Sequence, residues 1–205
     1  MHLPARLHTR PSRAPATLTG ALVAAILLGA CGGGSLYATF DPAAPCTSDG
    51  RFPGAYPALE GRLPTSFQGK VPDTVDSGRN CSATELGTLA GHGLHEVHYA
   101  GASWFLSGNA GITLAIFSGD GRTAEWLGEW YEAAARAARN TRQIDPTRPM
   151  VAGRQGYRLD TINGDSIQSV IDWPSPTGDA VFVVVAADAP VATIDAAAAA
   201  FPSGP

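Results

Sequence analysis

Ala180-Val181-Phe182-Val183-Val184-Val185-Ala186-Ala187 is the stretch that decides the fold. Every position in it is apolar, so a strand formed here would have to be covered on both faces. A strand of that kind belongs in the middle of a sheet, with partner strands on either side. The sequence therefore predicts a central strand over 180–187, around which the rest of the domain is arranged.

Two hairpins are expected to supply the other strands. Tyr157 to Ile162 and Ser166 to Trp173 flank Asn163-Gly164-Asp165, and Asn-Gly between two such runs is a strong hairpin signal. Earlier in the chain, Val97 to Leu106 is typical of a long strand, and Ile112 to Phe117 is typical of its partner. Together with the central strand, the two hairpins predict about five strands.

Helix signals lie between and after these strands. Ser82-Ala83-Thr84-Glu85 is a capping box, which predicts a helix over 83–90. Thr123 can cap a helix from Ala124 to Arg139, and the alanine-rich tail predicts a closing helix over 191–201. This order of elements predicts an α+β domain: a single antiparallel sheet of about five strands with helices packed on one face.

The N-terminal part of the chain has the features of an export signal. Leu18 to Ala30 carries no charge, is preceded by arginines and by no acidic residue, and is shorter than the ~20 apolar residues of a membrane-spanning helix. Leu28-Gly29-Ala30-Cys31 follows the lipobox pattern, with an aliphatic residue three positions before a cysteine and a small residue just before it. Residues 1–35 thus resemble a bacterial lipoprotein precursor, although an ordinary cleaved signal peptide is the alternative.

The resemblance also implies where in the cell the protein is located. Cys31 would receive a lipid on its sulfur and become the first residue after cleavage, which makes membrane lipid the expected partner. Residues 1–30 are then a signal peptide that is removed, 31–45 a flexible lipid-attached tether, and 46–205 a single α+β domain. The expected location is the outer face of the cell membrane or the outer membrane.

Cysteine counting follows from the same resemblance. If Cys31 carries lipid, Cys46 and Cys81 remain as an even pair outside the reducing cytoplasm, and a disulfide between them is expected. The bridge would staple an N-terminal segment that proline and glycine are expected to keep irregular. Two free thiols, one of them a nucleophile, are the competing interpretation.

Charge narrows the range of partners. Residues 31–205 keep all 18 acidic residues and 11 of the 14 basic ones, a net charge of −7, which disfavours nucleic-acid binding. Arginines are nevertheless concentrated in residues 136–158, where the local charge is +5, so an anionic surface or an envelope polymer is a candidate contact. The alternative is that these side chains pair internally with nearby acids. The candidates are Arg136, Arg139, Arg142 and Arg148.

Candidate chemistry is concentrated in His92-Gly93-Leu94-His95-Glu96-Val97-His98. Three imidazoles this close can ligate zinc, but residues three apart on a strand point to opposite faces. The simpler interpretation is polar residues where a loop enters a strand, so no metal and no cofactor is expected. Asp160, Asp165 and Asp172 are expected to be turn-forming or solvated residues of a hairpin rather than a catalytic pair.

Two functions from different classes remain. The preferred one is a lipid-anchored protein of the cell envelope that binds or interacts without chemistry of its own, with an envelope protein or polymer as a further partner. The alternative is an envelope hydrolase whose base is one of His92, His95 and His98. A histidine held within hydrogen-bond reach of a serine, an aspartate or a metal in a concave pocket would favour the second.

Overall fold

The computed structural model describes residues 40–119 and 122–202. The expected signal peptide, Cys31 and most of the expected tether lie outside these residues. The described elements, in chain order, are β1 (Gly50–Phe52), α1 (Pro57–Glu60), β2 (Thr74–Asn80), α2 (Ala83–Leu86), α3 (Thr88–Gly91), β3 (Val97–Phe105), β4 (Gly111–Ser118), α4 (Ala124–Ala137), β5 (Thr141–Thr147), β6 (Met150–Val151), β7 (Arg154–Gln155), β8 (Tyr157–Asn163), β9 (Ser166–Pro174), β10 (Ala180–Ala187) and α5 (Val191–Ala199).

Eight strands form one antiparallel sheet in the order β1-β2-β3-β4-β10-β9-β8-β5. A separate small sheet pairs β6 with β7. The domain is therefore mostly β, and the expectation of an α+β domain with a five-stranded sheet is wrong. The inner position of β10, between β4 and β9, agrees with its apolar sequence, and both predicted hairpins are present as β3–β4 and β8–β9.

The missed strands lie at or beside the edges of the large sheet. β2 contains Asp76 and Gly78, residues that are depleted in strands, yet it pairs along its whole length with β3. β5 contains Pro146, which cannot donate to a strand ladder and is tolerated because β5 is the outermost strand. Pairing with a well-formed neighbour outweighed the weak local propensity in both cases.

The large sheet consists of two four-stranded halves that meet at β4 and β10. The first runs inward from β1 to β4, and the second runs inward from β5 through β8 and β9 to β10. Helix α4 connects the inner end of the first half to the outer edge of the second. Its 14 residues span about 21 Å, close to the ~19 Å that four strand spacings require.

Helices cover both faces of the sheet, so the expectation of helices on one face only is also wrong. α1 and α5 pack on one face, called here the α5 face, against Trp104, Leu114 and Val184 among others. α2, α3 and α4 pack on the opposite face, called the α4 face, against Phe117 and Val183 among others. The physical reason is that β4 and β10 are apolar on both sides and so require two covering layers.

The predicted disulfide between Cys46 and Cys81 is confirmed, with a Cα–Cα distance of 6.0 Å. Asp49 reinforces the junction, because its side chain accepts hydrogen bonds from the backbone amides of Cys81 at 2.6 Å and Ser82 at 2.8 Å. Burial opposes the effect, but these hydrogen bonds lower the pKa of Asp49. The segment before β2 is thus tied to the start of α2 by a covalent bond and a half-buried carboxylate.

The helix expected over 83–90 is broken into α2 and α3. The capping box begins as predicted, because the Ser82 hydroxyl accepts a hydrogen bond from the amide of Glu85 at 3.2 Å. Gly87 then takes a φ of 49°, which the α-helix does not permit, and the chain restarts as α3. Among the helices of the described ranges, none combines the length and apolar character needed to span a bilayer.

Candidate functional site

A solvent-accessible cavity of about 480 Å³ lies where β3 begins and β4 ends. It is formed by the loop that leads from α3 into β3 and by the last residues of β4. We call it the His98 cavity. Its lining residues are Gly93, Leu94, His95, Glu96, His98, Ser118 and Gly119.

A histidine and a carboxylate are paired inside this cavity. His98 Nε2 donates a hydrogen bond to Glu96 Oε1 at 2.7 Å. The imidazole also stacks on the Tyr56 ring, with the two centroids 4.4 Å apart. Both paired side chains are 35% exposed, so they are fixed in position and still accessible to a ligand.

Tyr56 is itself held by residues of the α5 face. Its backbone amide donates to Ser77 Oγ at 2.7 Å, and Ser77 Oγ donates to Glu60 Oε1 at 2.7 Å. Burial raises the pKa of the Tyr56 hydroxyl, against the lowering effect of the nearby Arg79 guanidinium. The surface on which His98 stacks is therefore part of the packed domain rather than a loose loop.

The buried side chain of Arg79 lies beside the Glu96 carboxylate. That side chain is only 2% exposed, and Nη1 lies 3.9 Å from Glu96 Oε1. The same guanidinium donates to the backbone oxygens of Ala44 at 2.7 Å and Ser48 at 3.3 Å, residues on either side of Cys46. The disulfide-stapled segment thus positions Arg79, and Arg79 in turn lies against Glu96.

Ser118 stands opposite His98 in the β3–β4 register, so the two side chains share the α5 face of the sheet. Within residues 40–119 and 122–202 its hydroxyl forms no hydrogen bond to either His98 or Glu96. Gly119, with a φ of 149°, follows and closes the cavity against the backbone of Glu96, which would lie 3.3 Å from an added Cβ. The arrangement presents a serine beside an oriented imidazole without joining them.

Two of the three candidate histidines, His95 and His98, line the same cavity, and His92 lies elsewhere. His92 Nε2 lies 2.7 Å from Glu129 Oε2, and its ring stacks on Trp126 with a centroid separation of 4.4 Å, on the α4 side of the molecule. His95 is exposed in the loop, and His98 is in β3. In the part of the chain that the structure describes, no three His, Cys, Asp or Glu side chains are grouped so that they could hold a metal ion.

The candidate arginines are mostly engaged with nearby acids. Arg136 binds Glu132 at 2.5 Å, and Arg142 lies 3.6 Å from Asp165. Arg148 forms an ion pair with Glu125 and places its guanidinium over the Tyr157 ring. Arg139 is exposed and, among the described residues, is the one candidate without a carboxylate partner. The four therefore do not form a continuous unpaired basic surface.

A buried acid lies under α4, where the sequence suggested a solvated one. Asp172 is 0% exposed, and neither carboxylate oxygen has a hydrogen-bond partner in the described residues. Burial, and then repulsion from Glu125, raise the pKa of Asp172 well above its usual range. Burial raises the pKa of the Tyr131 hydroxyl on α4, and the nearby Asp172 raises it further. The expectation of surface solvation for Asp172 is wrong, because β9 places it on the inner, α4 side of the sheet.

A second cavity, of about 430 Å³, lies beside the C-terminal end of α5. Its polar side holds Arg62, which donates to both carboxylate oxygens of Asp179 at 2.8 and 3.0 Å. Hydrogen bonds from Arg62, Thr177 and Ser175 lower the pKa of Asp179. The other walls include Leu63 and Phe182, so the polar groups here are committed to each other and the remainder is apolar.

Sequence reasoning selected His98 but not the residues that make it a site. Glu96 was adjacent in the same motif, and its separation of two residues from His98 is a local signal that was available. Tyr56 and Arg79 come from the proline-rich segment and from β2, and no local pattern connects them with the histidines. Comparison of the chain with protein-family models, with curated proteins and with solved structures gives no match.

Proposed function

We propose that this protein is a lipid-anchored protein of the cell envelope whose domain binds a ligand in the His98 cavity without chemistry of its own. The observation that carries the proposal is the Cys46–Cys81 disulfide, because such bonds persist in exported proteins and are rare in the reducing cytoplasm. It agrees with the lipobox at Cys31, which supplies the anchor.

Binding rather than catalysis is supported by the state of the polar groups in the cavity. Glu96 is engaged by His98 and lies close to Arg79, so the carboxylate and imidazole form a supported pair. An activated nucleophile would be hydrogen-bonded to its base. Among the described residues, the Ser118 hydroxyl forms no hydrogen bond to His98. The His98–Glu96 pair and the adjacent Ser118 hydroxyl, which is not hydrogen-bonded to it, are suited to binding a polar ligand.

The anchor is tested by metabolic labelling with a clickable fatty acid in a bacterial host, followed by mass spectrometry of the N-terminal peptide. The expected result is a lipid-modified Cys31 at the N-terminus and complete loss of label in Cys31→Ala. The Cys46→Ser/Cys81→Ser variant keeps Cys31 and serves as the matched control, which should remain labelled. A mature N-terminus at any other residue would refute the anchor.

An envelope hydrolase is the second candidate, and one observation favours it. Glu96 orients the imidazole of His98, and Ser118 lies directly opposite on β4, an arrangement that contains the residue types of a nucleophile–base–acid triad. Hydrolysis of p-nitrophenyl acetate should then depend on Ser118 and His98 and be unaffected by His92→Gln. Under the preferred function, the protein and its Ser118→Ala variant hydrolyse the ester at the same background rate.

A further inference from the structure

Resting on the proposed binding function, we propose that the ligand of the His98 cavity is a neutral, hydroxyl-rich molecule, of the saccharide class. The inference concerns charge, hydrogen-bonding capacity and shape at this one cavity. Each of these can be read from the residues that line or support it.

The carboxylate that lines the cavity already has a cation beside it. Glu96 is the carboxylate that lines it, and the buried guanidinium of Arg79 lies 3.9 Å from that carboxylate. A phosphate or carboxylate ligand would be placed against Glu96 and repelled by it, while a cationic ligand would compete with Arg79. A neutral ligand meets neither penalty.

The groups in the cavity that form no hydrogen bond within the described residues include both donors and acceptors. Within the described residues, Glu96 Oε2 and His98 Nδ1 form no hydrogen bond, and the imidazole of His95 is exposed in the same cavity. The Ser118 hydroxyl adds a group that donates and accepts. Sugar hydroxyls also donate and accept, so adjacent hydroxyls on one ring match a mixed set of this kind better than an acceptor-only or donor-only ligand does.

The contacts around His98 and Glu96 hold these side chains in position before a ligand binds. Stacking on Tyr56 and the hydrogen bond to Glu96 fix His98, while the buried Arg79 guanidinium lies 3.9 Å from Glu96. A pre-positioned set loses little conformational entropy when a ligand arrives. The cavity volume of about 480 Å³ falls within the ~300–1,000 Å³ that is usual for small-molecule sites.

The test is a titration of the purified full chain with neutral oligosaccharides, namely maltotriose, cellotriose and chitotriose, by isothermal calorimetry and by ¹H–¹⁵N NMR. The expected result is saturable binding of at least one of them, with shifts concentrated at the amides of Gly93, Glu96 and Gly119. Glu96→Gln and Ser118→Ala should each weaken binding by about tenfold or more.

His92→Gln is the matched control, because His92 belongs to the same sequence motif but lies against Trp126, away from the cavity. It should leave the affinity within about twofold of the original. Dispersed NMR spectra of each variant show that folding is intact. Binding that is insensitive to Glu96→Gln in a folded variant overturns the inference.

Inorganic phosphate and spermidine are the charged arms of the experiment. Saturable shifts at the cavity amides with either of them, and none with the three saccharides, overturn the saccharide assignment and leave the binding function in place. No response at the cavity to any of these ligands also overturns it, whereas an unmodified Cys31 or a Ser118-dependent esterase activity contradicts the proposed function instead.

Discussion

Removing the disulfide should destabilise the domain by an amount that its loop length sets. The Cys46–Cys81 bond joins residues 35 positions apart, and the chain-entropy model assigns roughly 3.8 kcal/mol to closing a loop of that size. Both residues are half-buried, so serine in their place adds little penalty of its own. The double variant Cys46→Ser/Cys81→Ser should therefore lose about 3–4 kcal/mol of unfolding free energy.

Guanidinium chloride unfolding followed by tryptophan fluorescence measures this loss. With a slope of about 4 kcal/mol per molar denaturant for a domain of this size, the midpoint should fall by about 1 M. The unmodified protein in excess reductant is the internal control and should unfold at the midpoint of the double variant. A midpoint that moves by less than about 0.2 M would refute the chain-entropy reasoning.

The same variant should have a local effect at the His98 cavity. Arg79 takes its backbone acceptors from Ala44 and Ser48, on either side of Cys46, and then lies against Glu96. Freeing that segment should broaden the amide NMR signals of Glu96 and His98 under conditions in which the domain stays folded. Unchanged signals would show that Arg79 is held without help from the disulfide.

Three further expectations concern packing, pH and capping. Gly128→Ala in α4 should lower the unfolding free energy by about 1–3 kcal/mol, because the new Cβ would lie 2.2 Å from the buried ring of Tyr157. Gly91→Ala in α3 is the control, because a Cβ there meets open space. Equal urea midpoints for the two variants would contradict the expectation. Because burial raises the pKa of Asp172, the folded protein holds a proton that the unfolded chain releases above about pH 4, and stability should fall as pH rises by up to about 1.4 kcal/mol per pH unit until the folded-state pKa is reached. Asp172→Asn should remove this slope, and parallel pH profiles of unfolding free energy would argue against a buried protonated acid. Thr123→Ala removes the side-chain cap of α4 and should cost about 1 kcal/mol, visible as a lower Tm; an unchanged Tm would mean that the cap contributes nothing.

The parts of the fold that could be predicted are those where local sequence and tertiary environment agree. The all-apolar run of β10, the Asn-Gly hairpin of β8–β9 and the capped α4 each contain enough local information. β2 and β5 do not, since their sequences become strands only against β3 and β8. A sheet of eight strands was consequently expected to have five.

The candidate site follows the same division. The histidine motif includes the loop that lines the candidate cavity, but the residues that support this cavity come from distant parts of the chain. Arg79 lies beside Glu96 because β2 pairs with β3, and Tyr56 reaches His98 from the start of α1, where Ser77 of β2 accepts a hydrogen bond from its amide. Asp172 shows the converse error. It was judged by its neighbours in sequence, whereas its environment is set by α4 packing on the sheet.

The meeting of the two half-sheets at β4 and β10 has a consequence for how the protein folds. Eight register pairs, from Ala180–Ser118 to Ala187–Gly111, join segments that are distant in sequence, whereas the pairings inside each half are more local. Loop closure delays such long-range pairing, so each half is expected to form first and to present an apolar, unpaired strand edge until they dock. Helix α4, which links the halves covalently, raises the effective concentration of one edge at the other and so shortens the period in which either can aggregate.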